Sequence, residues 1–185
     1  MFQNLGKFLD DNSELLNDEK KNKSKVLFFV KNYLSKVKFN TTKEIPYGRY
    51  LAYQSKKLNI QVDVFSKNYE GNVHNHDTWG ILGVINGTLL VKDWKKNFKD
   101  ENLIDLTREY LLSSSAACYF SKTSDIHSTQ TFNGPQVISI HVYGKEFNLD
   151  KGYKYSFDCL KWLEYKRGYL FNFDKINKYF KFNLI

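Results

Sequence analysis

The four histidines of this chain fall in two short segments, His74-Asn-His76 and the stretch from Asp125-Ile-His127 to Val137-Ile-Ser-Ile-His-Val-Tyr143. In an extended backbone alternate side chains share a face, so His74 and His76 project their imidazoles together and make half of a metal clamp. A third imidazole has to come from elsewhere, and His127, in a polar stretch between two apolar runs, is the candidate. Three neutral imidazoles suit iron, zinc, copper or nickel. In Val137–Tyr143 strict alternation places Ser139, His141 and Tyr143 on one face and Ile138, Ile140 and Val142 on the other. Should the polar face look toward the metal, Ser139 would set the orientation and tautomer of His141. His141 in turn would hold the Tyr143 hydroxyl beside the ligands. The competing readings are an exposed strand with one polar side and, for His74 and His76, two incidental histidines at a turn, because Gly71-Asn72 and Asp77-Thr78 flank them.

Strands are needed to hold such a set, and the chain supplies them. From Pro46 onward short β-rich runs follow one another: Tyr50–Tyr53, Ile60–Phe65, Trp79–Ile85, Thr88–Asp93, Tyr110–Leu112, Cys118–Phe120 and Val137–Tyr143. Their close succession predicts a sandwich or barrel. Asn86-Gly87 between two apolar runs predicts a type I′ hairpin tying the strand behind the histidine pair to the next one. Before Pro46, Leu15, Leu16, Val26, Leu27, Val30, Tyr33, Leu34 and Val37 recur largely at three- and four-residue spacing, which predicts one or two amphipathic helices. The expected organisation is a single unit over 1–185, with a helical segment at 1–45 and a barrel carrying the metal site at 46–144. The Tyr- and Phe-rich tail at 145–185 is expected to pack on the barrel as strands or an extension.

Composition narrows the class. The chain has 185 residues, 42% of them hydrophobic, with 15 Phe and 13 Tyr, which suits a packed globular protein. Its 28 basic residues outnumber 20 acidic ones, and all but Arg49, Arg108 and Arg167 are lysines spread along the chain. No basic stripe with interleaved aromatics forms, so nucleic acid is not an expected partner. The run Val26–Val30 is far below the roughly 20 apolar residues of a membrane span, and the first ten residues lack the apolar core of a secretory signal. Cys118 and Cys159 have no Cys-x-x-Cys spacing and are expected as buried free thiols in a reducing cytoplasm.

The combined spacing resembles the two motif blocks of the cupin superfamily and, more narrowly, the thiol dioxygenases of the cysteine dioxygenase kind. The shared pieces are Tyr47-Gly-Arg49-Tyr-Leu51, His74-Asn-His-Asp-Thr-Trp79-Gly80, Asp125-Ile-His127 and Ser139-Ile-His-Val-Tyr143-Gly144. They span residues 46 to 144; the set is specific where each piece alone is weak. The resemblance implies a mainly β fold, a double-stranded β-helix or jelly-roll-like barrel with N-terminal helices. It also implies a mononuclear Fe(II) on His74, His76 and His127, a Ser139–His141–Tyr143 relay, and Arg49 as the group that binds a substrate carboxylate. Trp79 is expected in the core or the substrate-pocket wall. Many cupins place a carboxylate ligand four residues after the second histidine; Gly80 stands there and cannot ligate.

The implied reaction adds both atoms of O2 to the sulfur of a small thiol, giving a sulfinate. Arg49 favours L-cysteine, whereas Trp79-Gly80 resembles the branch that includes 3-mercaptopropionate enzymes. Tyr143 would hydrogen-bond the bound thiolate or the oxygen intermediate and is expected to be unmodified, because no cysteine lies close after His76. A cytoplasmic monomer acting on a small thiol, with no membrane partner, is the expectation. The alternatives are a zinc or nickel enzyme on the same three histidines, and a barrel that binds a small molecule without turning it over.

Overall fold

The computed structural model describes residues 1–12, 19–40, 44–146, 152–166, 168, 170–182. Leu15, Leu16 and Arg167 lie outside them. Among the described residues two helices open the chain, α1 (Phe2–Asp11) and α2 (Glu19–Lys36). The apolar spacing noted from Leu15 onward has a counterpart in α1, where Phe2, Leu5 and Leu9 are all buried. Among the described residues no helix is long and apolar enough to cross a membrane.

Among the described residues twelve strands follow: β1 (Val37–Phe39), β2 (Gly48–Gln54), β3 (Asn59–Ser66), β4 (His74–Asn75), β5 (Gly80–Lys96), β6 (Ile104–Ser113), β7 (Ala117–Phe120), β8 (His127–Tyr143), β9 (Gly152–Ser156), β10 (Lys161–Tyr165), β11 (Phe171–Asn172) and β12 (Phe180–Phe182). The long strands β5 and β8 pair antiparallel from Gly80↔Tyr143 to Asp93↔His127. Their two halves belong to different sheets. The first half of β5 and the last half of β8 lie between β7 and β3. The remaining halves lie between β6 and β4. This order is a jelly roll, the double-stranded β-helix expected from the sequence.

The hairpin at Asn86-Gly87 is corrected. Both residues lie inside β5, where the register to β8 shifts between Val84 and Leu89. Gly87 has φ +85°, while Asn86 is not among the positive-φ residues. A type I′ turn needs positive φ at both positions; a single left-handed glycine in a continuing ladder makes a bulge. The bulge carries β5 from one sheet into the other.

Alternation along the strands separates two cores. Ile60, Val62, Val64, Ile81, Ile138, Ile140 and Val142 point outward and are covered by Leu5, Leu9, Val26, Val30 and Leu34 of the helices. Phe65, Leu82, Val84, Leu89, Val91, Leu112, Phe120 and Val137 fill the space between the sheets, and Tyr143 joins them. The tail, whose secondary structure the sequence left open, adds strands to existing edges: β9 pairs with β4, β11 with β2, and β12 with β1. Cys118 and Cys159 are both free thiols, but Cys159 is exposed and Cys118 only half-buried, which corrects the expectation of two buried ones.

Candidate metal centre

The histidines meet because β4 and β8 are neighbours. His74 stands directly opposite His127 in the ladder, the position at which cross-strand side chains touch, and His76 follows two residues on. The ring centroids are 4.7 Å apart for His74 and His76, 4.8 Å for His74 and His127, and 5.2 Å for His76 and His127. One ligand atom from each lies within 4.8 Å of the others. Nδ1 of His74 is 2.8 Å from the Asn72 carbonyl, and Nδ1 of His127 is 2.9 Å from the Asp125 carbonyl. A carbonyl only accepts, so these contacts place the ring proton on Nδ1 and leave Nε2 of both rings as a lone-pair donor. His127 is buried, and desolvation, with His74 nearby, holds its pKa well below the ordinary histidine value. Neutral rings with an aimed Nε2 fit a metal that takes imidazole.

Asp125 is a residue the sequence reading quoted without assigning a role. One of its carboxylate oxygens accepts the backbone N–H of His76 at 2.7 Å and of Asp77 at 2.5 Å. It thereby locks the turn that carries the histidine pair, where Asp77 sits at φ 55°. Burial raises the Asp125 pKa, and the backbone donors oppose that shift. Lys145 Nζ donates to the His76 carbonyl and ties the same turn to the end of β8.

Ser139, His141 and Tyr143, on one face of β8, form a continuous line of contacts that ends at His76. Ser139 Oγ is 2.9 Å from His141 Nε2, His141 Nδ1 is 3.0 Å from the Tyr143 hydroxyl, and that hydroxyl is 3.3 Å from His76 Nε2. All three residues are buried. Desolvation lowers the His141 pKa; the Asp63 carboxylate opposes this and Arg49 adds to it. The Ser139 and Tyr143 hydroxyls can each donate or accept, so the tautomer of His141 sets the direction of both bonds.

Arg49 lies on β2 directly opposite Asp63 on β3, with its Nε 3.5 Å from Asp63 Oδ2. Burial works against its charge, but the Asp63 carboxylate leads the groups that outweigh it and keep the pKa above the ordinary arginine value. Arg49, Asp63, His74, His127, His141 and Tyr143 all line one cavity of about 190 Å³, below the roughly 300–1,000 Å³ of sites for drug-sized ligands. A larger hollow of about 800 Å³ lies on the other side of His127 and Phe120. It contains none of the relay, so the smaller cavity is the candidate site.

Trp79 is corrected. It is buried in the outer core, stacked on Tyr119 at 6.2 Å, and does not line the cavity. Strand alternation explains this: Ile81, two residues on, also faces outward, while Leu82 faces in. Phe120 was missed altogether, and nothing in its local sequence marks it. Its ring lies 4.8 Å from that of His127 and 5.9 Å from that of His76. It also explains Gly80, where a Cβ would lie 2.2 Å from Phe120 Cζ. The aromatic ring occupies the space a fourth, carboxylate ligand would enter. Gly80→Ala is expected to destabilise the protein by about 1–3 kcal/mol through overpacking, read as a lower urea midpoint; an unchanged midpoint would show that Phe120 yields freely.

No family model matches the sequence, and no curated protein does. Solved structures of similar shape include TT1209 from Thermus thermophilus, with a TM-score of 0.44 and 12% identity over 58% of this chain and 90% of that one. An RmlC-like cupin family protein with a double-stranded beta-helix fold from Methanocaldococcus jannaschii has a TM-score of 0.43 and 10% identity over 57% of this chain and 88% of that one. Oxalate oxidase in complex with the substrate analogue glycolate has a TM-score of 0.43 and 11% identity, covering 57% of this chain and 55% of its own.

Proposed function

We propose that this protein is an Fe(II)- and O2-dependent thiol dioxygenase whose substrate is a small thiol carboxylate, L-cysteine in the first place. The observation that carries the reading is the continuous contact from Ser139 through His141 and Tyr143 to His76 beside a cavity that also holds Arg49. A barrel that only bound a small molecule would have no use for a hydroxyl held by a buried relay next to a metal ligand.

The overall change is RSH + O2 → RSO2H. Two S–O bonds form, the O–O bond breaks, sulfur loses four electrons and O2 gains them, so no external reductant is needed. His74, His76 and His127 would hold a ferrous ion, which with three neutral ligands would keep its full charge and so lower the pKa of a thiol brought to it. The chain's own residues do the rest. Tyr143 places a hydroxyl where the sulfur is to react, His141 and Ser139 fix its direction, and Phe120 and Phe65 keep water from the rings. Arg49 offers a planar donor set that pairs with a carboxylate at two points, which a lysine would not reproduce.

The test is O2 consumption by anaerobically Fe(II)-loaded protein given L-cysteine, 3-mercaptopropionate or cysteamine, with the sulfinate identified by mass spectrometry. Absence of uptake despite bound iron would sink the reading. A preference for zinc or nickel over iron would move it to a hydrolytic or carbonyl-polarising enzyme on the same ligands. Arg49→Ala is expected to raise the KM for L-cysteine and 3-mercaptopropionate about 10–100-fold, the range of a lost charge-assisted contact. Cysteamine, which has no carboxylate, should change far less, and equal losses for all three would remove the role given to Arg49.

A further inference from the structure

The register of the tail hairpin carries one of its side chains to the metal cavity. β9 and β10 pair antiparallel with Lys154 opposite Leu163 and Gly152 opposite Tyr165, and β9 adds to β4 with Lys154 opposite His74. Directly paired residues share a face of a sheet, as do residues two apart along a strand. Tyr165 therefore projects on the face that carries His74 and His127. Gly152 stands between Tyr165 and β4 without a side chain, which leaves the phenol ring room to lean toward the histidines. Tyr165 is accordingly part of the wall of the cavity of about 190 Å³. That wall divides by depth. Asp63, His127, Thr129, His141 and Tyr143 are buried, whereas Arg49, Tyr69, His74 and Tyr165 are half-buried and mark the mouth. The hairpin is pinned on two sides: the Tyr155 N–H donates to the Val73 carbonyl at 2.8 Å, next to His74, and the Tyr155 hydroxyl donates to the Asn102 carbonyl at 2.8 Å.

We infer that Tyr165 sets the size limit of the site: its ring narrows the mouth beside Arg49, so that a small free thiol enters and one extended by an acyl or peptide group does not. The inference deepens the proposed function and rests on it for the thiol as the reacting group. Packing supports it. Phe65 and Tyr143 belong to the core between the sheets, and such close-packed walls do not give way to a bulkier ligand. Room for a larger substituent has to be found at the mouth. There Arg49 is tied to Asp63 across the β2–β3 ladder, Tyr69 is stacked on Phe65 at 4.4 Å, and His74 belongs to the metal cluster. Tyr165 differs from these in standing on β10, which ends the sheet and pairs with β9 among the described residues. Its ring is the part of the mouth that can be cut back without disturbing the metal cluster or the line from Ser139 to His76.

The test is anaerobic calorimetry on the Fe(II)-loaded full chain, as wild type, Tyr165→Ala and Tyr165→Phe, with L-cysteine, N-acetyl-L-cysteine and L-cysteinylglycine as probes. Wild type is expected to bind L-cysteine about tenfold or more tightly than either larger thiol. Tyr165→Ala is expected to close that gap for at least one of the larger thiols and to leave L-cysteine nearly unchanged; Tyr165→Leu, a milder truncation, carries the same expectation. Tyr165→Phe keeps the ring and is expected to keep the wild-type ranking, which separates bulk from hydrogen bonding by the phenol. Truncated variants that rank the three thiols as wild type does overturn the inference. So does a Tyr165→Phe protein that behaves like Tyr165→Ala. Air is then admitted to the same samples. The binding pattern without O2 uptake overturns the dioxygenase reading and leaves Tyr165 its role, while uptake without the pattern does the reverse.

Discussion

His127→Ala is expected to yield a protein that no longer retains iron through gel filtration, with metal content falling from one ion per chain toward none. His127 sits opposite His74 in the ladder and completes a cluster whose ligand atoms lie within 4.8 Å of one another. Its removal leaves two imidazoles, one on the two-residue strand β4 and one in the turn just after it. Loss of a partner that merely orients a ligand costs roughly 10–100-fold in metal affinity, and loss of the ligand itself must cost more. The wild-type ring is buried and neutral, so it surrenders no proton on binding metal and its contribution is uncompensated in the variant. His76→Ala should behave alike. Elemental analysis of the purified variants decides the matter: full iron occupancy in either would refute the ligand assignment, and a folded circular dichroism spectrum separates loss of metal from loss of structure.

Tyr143→Phe is the second large effect, and it should fall on turnover rather than on metal. The substitution removes one oxygen that lies 3.0 Å from His141 Nδ1 and 3.3 Å from His76 Nε2 and leaves the ring in place between the sheets. None of the three candidate ligands, His74, His76 and His127, changes, so iron content should match wild type. A positioned proton donor contributes about 10²–10⁴ to a rate, and kcat is expected to drop by about the lower end of that range. His141 would be left with one unpartnered nitrogen in a buried site, which costs about 1–3 kcal/mol of stability. Parallel measurement of kcat, iron content and melting temperature tests all three statements. Undiminished kcat would take Tyr143 out of the reaction, and loss of iron would make it a structural support of His76.

The site was legible in the sequence wherever strand periodicity alone decided it. Ser139, His141 and Tyr143 share a face because residues two apart along a strand always do, and the same rule brought His74 and His76 together. His127 was legible as a candidate from its polar stretch between two apolar runs, and the structure supplies the reason it fits: the β4–β8 register sets it against His74. The barrel was legible as a succession of short apolar runs, but two of those runs proved to be one strand. The difference turned on the φ of Asn86, which local composition does not specify.

What the sequence by itself determined is the chemistry on offer: three imidazoles, a Ser-His-Tyr face and a rare arginine, in strands that alternate. It could not tell which face of β8 looks inward, because Ile138, Ile140 and Val142 are as deeply buried as Ser139, His141 and Tyr143. The helices decide that by covering the aliphatic face and leaving the polar one to the space between the sheets. Tertiary structure alone turned Trp79 outward, set Phe120 against Gly80, and placed Asp63 across from Arg49. Each is a contact between segments far apart in the chain, fixed by strand register and packing, and no local pattern encodes those.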